Sequence, residues 1–435
     1  MRITGTAGDD LRTGTAGRER FFVDQGGDDS VSGLDGDDNF YFGAAFTADD
    51  TVAGGEGHDH LRLEGDYSAG VVFGAATVTG IERLLLGGTF NYSLTINDAT
   101  VAAGDRLNVR FTPGSGGYLV FDGSAETDGR LLVRGGNSGD NLTGGARGDQ
   151  FDLSLGGADN VHGGAGRDRF ILGATFGDDV IDGGAGWDRV ELDGAYAKLA
   201  ITGAMMSRVE SLSVAGGNGA IGLDIADDVV KAGRVLTVAA SQLGAAESLI
   251  FDGLSETDGA FNVTSGAGAD YLGGGFSGGG RDTLIGGGGD DTIEGWSGAD
   301  DITGGTGTDV FFYKGVEFST GIDHDTIRDV NFDEDRFFLE TPTGIDTAVT
   351  GADISEGTFD SDLAAAVSGH LGTRHAIIVT ASSGDLSGHS FLVVDVGERP
   401  TSPAQAAVEA SYDAGYDYVF DITGYSGVFD LSDFS

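Results

Sequence analysis

The chain has 435 residues, a formal net charge of −46, 80 glycines, 4 prolines and no cysteine. That charge removes the basic footprint nucleic-acid binding requires and disfavours anionic lipid, while the missing thiols exclude disulfides, zinc–thiolate sites and cysteine nucleophiles. A 39% hydrophobic content with 26 Phe argues against disorder, and no apolar run approaches the roughly 18 residues of a transmembrane helix.

The N-terminal MRITGTAGDD has no basic n-region and no apolar h-region, so no secretory signal peptide is expected. Repeat-like turns start at Gly5, so no catalytic domain is expected ahead of the array. Block 1 (1–62) carries nonapeptides on the pattern GGxGxDxUx, with U apolar, at Gly33–Tyr41 and Gly54–Arg62. Its acids Asp29, Asp38, Asp50 and Asp59 are spaced 9, 12 and 9 residues apart. The first turns, at Asp10 and Glu19, deviate most and are expected to fray. Spacer 1 (63–133) alternates apolar residues in short runs, Leu84/Leu86, Tyr92/Leu94/Ile96, Leu107/Val109 and Leu119/Phe121, which predict strands.

Block 2 (134–191) has close copies at Gly163–Ile171 and Gly183–Glu191, with Asp159, Asp168, Asp179 and Asp188 spaced 9, 11 and 9, and Asp149 ahead of them. Spacer 2 (192–264) answers spacer 1: FDGSAETDG at Phe121–Gly129 returns as FDGLSETDG at Phe251–Gly259, so about 130 residues are duplicated in tandem. Spacers that continue the repeat as longer coils are the economical expectation; two β-sandwich inserts are the alternative. The acids Asp122, Glu126, Asp128 and Asp252, Glu256, Asp258 form either an extra cation site or solvated loops. Block 3 (265–340) contains three successive nonapeptides, Gly286–Glu294, Gly295–Thr303 and Gly304–Phe312, with Asp270, Asp282, Asp291, Asp300 and Asp309. Residues 341–435 are poorer in glycine and predict a helix at Asp362–Ser368 behind an N-cap at Ser361. Strands are expected there near Ala376–Thr380, Phe391–Val396 and Tyr418–Ile422.

The spacing carries chemistry. GGxGxD forms a turn whose glycines permit positive φ and expose carbonyls, and xUx forms a short strand with one side chain inward. Two nonapeptides complete a coil, so Asp282 and Asp300, or Asp291 and Asp309, stack 18 residues apart. Stacked carboxylates repel unless a cation such as Ca²⁺ takes carboxylate and carbonyl oxygens between them. Candidate ligands are the acids named in the three blocks, with Asp35 and the turn residues Gly33, Gly36, Gly54, Gly57, Gly163, Gly166, Gly183, Gly186, Gly286, Gly289, Gly295, Gly298, Gly304 and Gly307. On the order of ten Ca²⁺ ions are expected. In blocks 1 and 2 one edge has full turns (GLDGDD, GGEGHD, GGAGRD, GGAGWD) and the other longer loops (AAFTADD, GATFGDD), which predicts a stronger ladder on the first.

This array resembles the RTX (repeats-in-toxin, haemolysin-type calcium-binding) family. The resemblance implies an all-β fold, a right-handed parallel β-roll or β-solenoid with a small α+β C-terminal domain. DTIRDVNFDEDRFFL (Asp325–Leu339) resembles the segment closing such arrays. HAIIVTASSGDLSGHSFLVVDVG, then YDAGYDYVFDITGYSG, resembles the bluetail C-terminal domain of bacterial surface RTX proteins, with Glu398–Ser411 inserted where that pattern runs straight on. The departure puts any calcium role of Asp395, Asp413 or Asp417 in question. The tail Phe429–Ser435 resembles an uncleaved type I secretion signal. Implied, therefore, are a secreted calcium-binding structural protein, extracellular or on the cell surface, with the type I secretion machinery and a cell-surface or extracellular polysaccharide as partners. A carbohydrate-active enzyme or an adhesin on the same solenoid is the rival. No enzyme is expected: HExxH is absent, and Ser277 in GFSGG (Gly275–Gly279) lacks the helix a nucleophile elbow needs. His58, His60 and the tripeptide Arg147-Gly148-Asp149 read as turn residues.

Overall fold

Each xUx triad becomes a strand of three to six residues with its apolar residue inward, as in Arg20–Phe22 and Asn39–Gly43. The computed structural model describes residues 1–111, 116–217, 219–276, 280–313, 319–397, 412–414 and 416–434. The chain is a parallel β-solenoid divided into two units, Met1–Gly194 with Ala204–Ser213, and Ala195–Gly203 with Val214–Ser435. The division falls inside spacer 2.

In the first unit a parallel ladder brings Ile3, Phe21, Phe40, Leu61, Leu84, Val109, Val133, Phe151, Phe170 and Val190 into one inward row. Leu94, Phe121, Leu142, Val161, Ile181 and Met206 form a second row on the opposing sheet. Phe21 stacks on Phe40 with ring centroids 4.8 Å apart, and Phe151 on Phe170 at 5.4 Å. Each fully buried side chain of this size contributes roughly 1.5–3 kcal/mol, so the rows hold coils that individually have no core. Spacer 1 lies in the same register: Leu61, Leu84, Val109 and Val133 are consecutive partners. Its longer coils add further inward residues, including Tyr67 and Tyr92, whose stacked rings lie 5.7 Å apart.

The second unit repeats the plan. Val238, Val263, Leu284, Ile302 and Ile327 form one row, and Leu223, Phe251, Leu272, Ile293, Phe311 and Phe337 the other. Spacer 2 thus also winds as coils here rather than as a sandwich insert.

The C-terminal region extends this unit's sheet. Asp325–Ile327 pairs in parallel with Tyr418–Asp421, which runs antiparallel to Ser390–Val394, itself antiparallel to His375–Ser383. Added strands cover the hydrogen-bonding edge a solenoid would otherwise expose. The helix spans Phe359–Val367, starting earlier than expected, with Thr358 rather than Ser361 at its N-cap. Ser361 instead lies in the first turn, its hydroxyl donating to the Thr358 carbonyl at 2.8 Å. Packing sets this start: Phe359, Leu363 and Val367 fall at i, i+4 and i+8 and bury together against Ile377, Val379 and Phe391. Residues 398–411 lie outside the described residues.

Candidate metal centre

The sixth residue of each turn is folded inward, and the coils connect these acids in a repeating hydrogen bond. One carboxylate oxygen of each Asp accepts the backbone N–H of its counterpart one coil earlier. On one edge of the first unit Asp10 donates to Asp29 and Asp29 to Asp50, at 3.0 and 2.7 Å. On the other, Glu19 donates to Asp38, Asp38 to Asp59 and Asp59 to Glu82, at 2.6, 2.7 and 2.6 Å. Asp140, Asp159 and Asp179 continue the pattern, as do Asp149, Asp168, Asp188 and Glu210. In the second unit one ladder runs Asp270, Asp291, Asp309, Asp335 and another Asp282, Asp300, Asp325. Where the spacing is nine, the step between partners is 18 residues.

The second oxygen divides the ladder acids: in Asp140, Asp149, Asp270 and Asp282 it accepts a hydrogen bond from the acid's own turn, and in others it has no partner. Oδ2 of Asp38, Asp59, Asp159, Asp168, Asp188, Asp291 and Asp300 is buried with no hydrogen-bond partner. Leaving such an atom unsatisfied costs about 1–3 kcal/mol or more, so their recurrence along several ladders calls for a cation. The turn glycines keep the space open. A methyl on Gly163 or Gly286 would lie closer than 3.0 Å to Asp168 or Asp291 Oδ2 and to the carbonyl of the glycine one coil on, Gly183 or Gly304. Carboxylate and carbonyl oxygens without His or Cys are the donor set of a hard cation, and its irregular geometry suits Ca²⁺. The residues therefore fit the ion: the Asp Oδ2 atoms and the turn carbonyls would hold it, and it would supply the charge that lets the carboxylates stack.

Electrostatics agree. Burial, followed by repulsion from Asp188 and Asp149, pushes Asp168 up to about 8. Burial and the ladder neighbours push Asp159 and Asp291 up to about 7. Asp300 is raised by burial and then by Asp325 and Asp282.

The edges differ in one respect. In the long loops an aromatic side chain turns inward, Phe46 in one and Phe176 in the other. Beside Phe46, Thr47 donates its N–H and hydroxyl to Asp50 Oδ2 at 2.7 and 3.2 Å, so the protein already satisfies that oxygen. On the edge that carries the long loop of Asp179, Asp159 nonetheless keeps a free buried Oδ2. Asp35 is exposed on its strand.

Spacing alone did not single out Asp140, Glu82, Glu210, Asp325 and Asp335 as members. Asp140 ends the turn GGNSGD nine residues before Asp149, a signal present in the sequence. The others follow coil steps of 22 to 26 residues. Of the weaker motifs, Arg147-Gly148-Asp149 is not available to a partner, because the buried Asp149 accepts from the Leu131 and Gly145 amides. Ser277 lies outside the described residues. Asp122 and Asp252 cap their own turns, accepting from Ser124 and Leu254.

A family model for the RTX calcium-binding nonapeptide repeat matches four copies, at residues 45–66, 154–175, 171–194 and 276–311. No curated protein shows a significant match to the chain. The four matched segments carry RTX calcium-binding nonapeptide repeats, and they lie in a parallel β-solenoid whose stacked, partnerless carboxylates fit that match.

Proposed function

We propose that this chain is an exported calcium-binding RTX protein whose solenoid folds as Ca²⁺ enters the carboxylate ladders, and that its role outside the cell is structural. The observation carrying this reading is the row of buried Oδ2 atoms without partners. Extracellular calcium modules bind with Kd of about 10⁻⁴–10⁻³ M. At ~1 mM Ca²⁺ and a Kd of ~10⁻⁴ M each site contributes roughly 1.4 kcal/mol, and at a cytosolic ~10⁻⁷ M almost nothing. A chain that is loose inside the cell suits a route that threads unfolded polypeptide, and without cysteine it forms no disulfides on the way. Export by a type I machinery, with residues 341–435 as the secretion domain, rests on the family resemblance. No helix among the described residues is long and apolar enough to cross a membrane.

A specific groove favours a second reading, polysaccharide binding or processing. On the outer face of the first unit Phe22 and Tyr41 meet edge-on at 5.9 Å, with Arg20, His60, Arg62 and Glu64 lining the same groove. Burial lowers the His60 pKa, which favours a neutral imidazole beside two stacking surfaces.

Calorimetric titration of the chelated, full-length protein with Ca²⁺ tests the first reading. It predicts saturable uptake of several ions per chain with Kd of about 10⁻⁴–10⁻³ M. No uptake by about 10 mM would refute it, a concentration well above that range. Ca²⁺-loaded protein that binds or degrades a member of a polysaccharide panel would support the second.

A further inference from the structure

We propose that the two ETDG loops build a cation site of their own, outside the nonapeptide turns. In spacer 1 the carboxylates of Asp98, Glu126 and Asp128 each place one oxygen within 4.8 Å of the others. Three like charges at that distance repel unless protons or a cation sit between them. Glu126 is fully buried. Its Oε1 accepts the N–H groups of Gly129 and Asp128 at 2.7 and 3.1 Å, while Oε2 has no partner at all. Asp98 arrives from the preceding coil and is fixed by Thr127, whose N–H and hydroxyl donate to its Oδ1 at 2.8 and 2.7 Å. One oxygen of Asp98 is therefore held by the protein, leaving the other free.

The duplicated spacer repeats the hydrogen-bond frame with other residues, although among the described residues only the spacer 1 carboxylates come within 4.8 Å of one another. Thr257 donates its N–H and hydroxyl to Asp227 at 2.9 and 2.6 Å. Glu256 Oε1 accepts from Gly259, Asp258 and Thr257, and its Oε2 is again buried and partnerless. Asp98 and Asp227 were not part of the FDGxxETDG motif; they replace Asp122 and Asp252, which cap their own turns. An orphaned, fully buried glutamate oxygen recurring in both spacers marks a built feature. The ligand class is a hard divalent cation: the donors are carboxylates, His and Cys are absent, and exposed Asp98 leaves room for water to complete an irregular Ca²⁺ shell.

Equilibrium dialysis of the full chain against saturating Ca²⁺ tests the proposal. The Glu126→Gln, Glu256→Gln double variant should bind two fewer ions than the parent while the ladders still fill. Because both glutamates are buried, Asp98→Asn with Asp227→Asn serves as the second variant. Both positions are exposed and asparagine can still accept from threonine, so folding is spared. It should lose the same two ions or bind them at least tenfold more weakly. A parent stoichiometry and affinity retained in the aspartate variant overturns the proposal, whatever the ladders do.

Discussion

Leu34 and Trp296 occupy the second position of their turns with φ of 75° and 65°, where Gly164, Gly287 and Gly305 sit at 100–110°. Left-handed backbone costs a residue with a Cβ roughly 1–2 kcal/mol. Leu34 is 45% exposed and gives little burial in return. Leu34→Gly should therefore stabilise the Ca²⁺-loaded protein by about 1 kcal/mol, read as a higher urea midpoint; a lower midpoint would contradict the strain. The first glycine of the turn answers to space instead. Gly163→Ala presses a methyl on Asp168 and the Gly183 carbonyl. At an overpacking cost of ~1–3 kcal/mol it should weaken Ca²⁺ binding roughly tenfold in a calorimetric titration, and unchanged affinity would show that the cleft is not the ligand space.

At the scale of the coil, the difference between full turns and long loops becomes testable. Asp291 accepts from Asp270, donates its own N–H to Asp309 and keeps Oδ2 free. Asp50 spends its second oxygen on Thr47. Asp291→Ala should therefore reduce Ca²⁺ affinity more than Asp50→Ala, because it removes a buried oxygen that no protein group satisfies. Equal losses in parallel titrations would contradict this. Strand positions, their inward residues and most ladder acids were legible because a nine-residue period fixes both the turn and the side-chain face. Asp325 and Asp335 were not, since steps of 25 and 26 residues break that period and only the three-dimensional register restores it. Nor could spacing show that Phe46 and Phe176 would turn inward, or that Phe359 would set the helix start, since packing decides these. The spacer acids were half legible: the glutamates stood out in the duplicated motif, but their aspartate partners come from the coil before.

For the whole molecule the acidic ladders oppose folding when calcium is absent. Asp149 and Asp282 are both pushed up to about 6 by burial. Against an unfolded value of 3.8, each costs the calcium-free fold roughly 3 kcal/mol once the pH exceeds its folded pKa, at about 1.4 kcal/mol per unit. Because the folded values are raised, the fold binds more protons than the unfolded chain, and the penalty disappears below about pH 4 and grows through about pH 6 to 8. In chelator, lowering the pH from about 8 to about 5 should therefore increase β structure by circular dichroism, which neutralising the ladders explains. Structure that only declines on this acidification would contradict the assigned sign.

Far-ultraviolet circular dichroism of the full-length protein at neutral pH, in excess chelator and then in about 5 mM Ca²⁺, tests calcium-coupled folding most directly. The stacked carboxylates predict a weak, largely unfolded spectrum in chelator and a strong β spectrum after the ion is added, reversible on renewed chelation. Equal β content in both conditions would mean that the hydrophobic rows hold the solenoid without the ion, and would contradict the account.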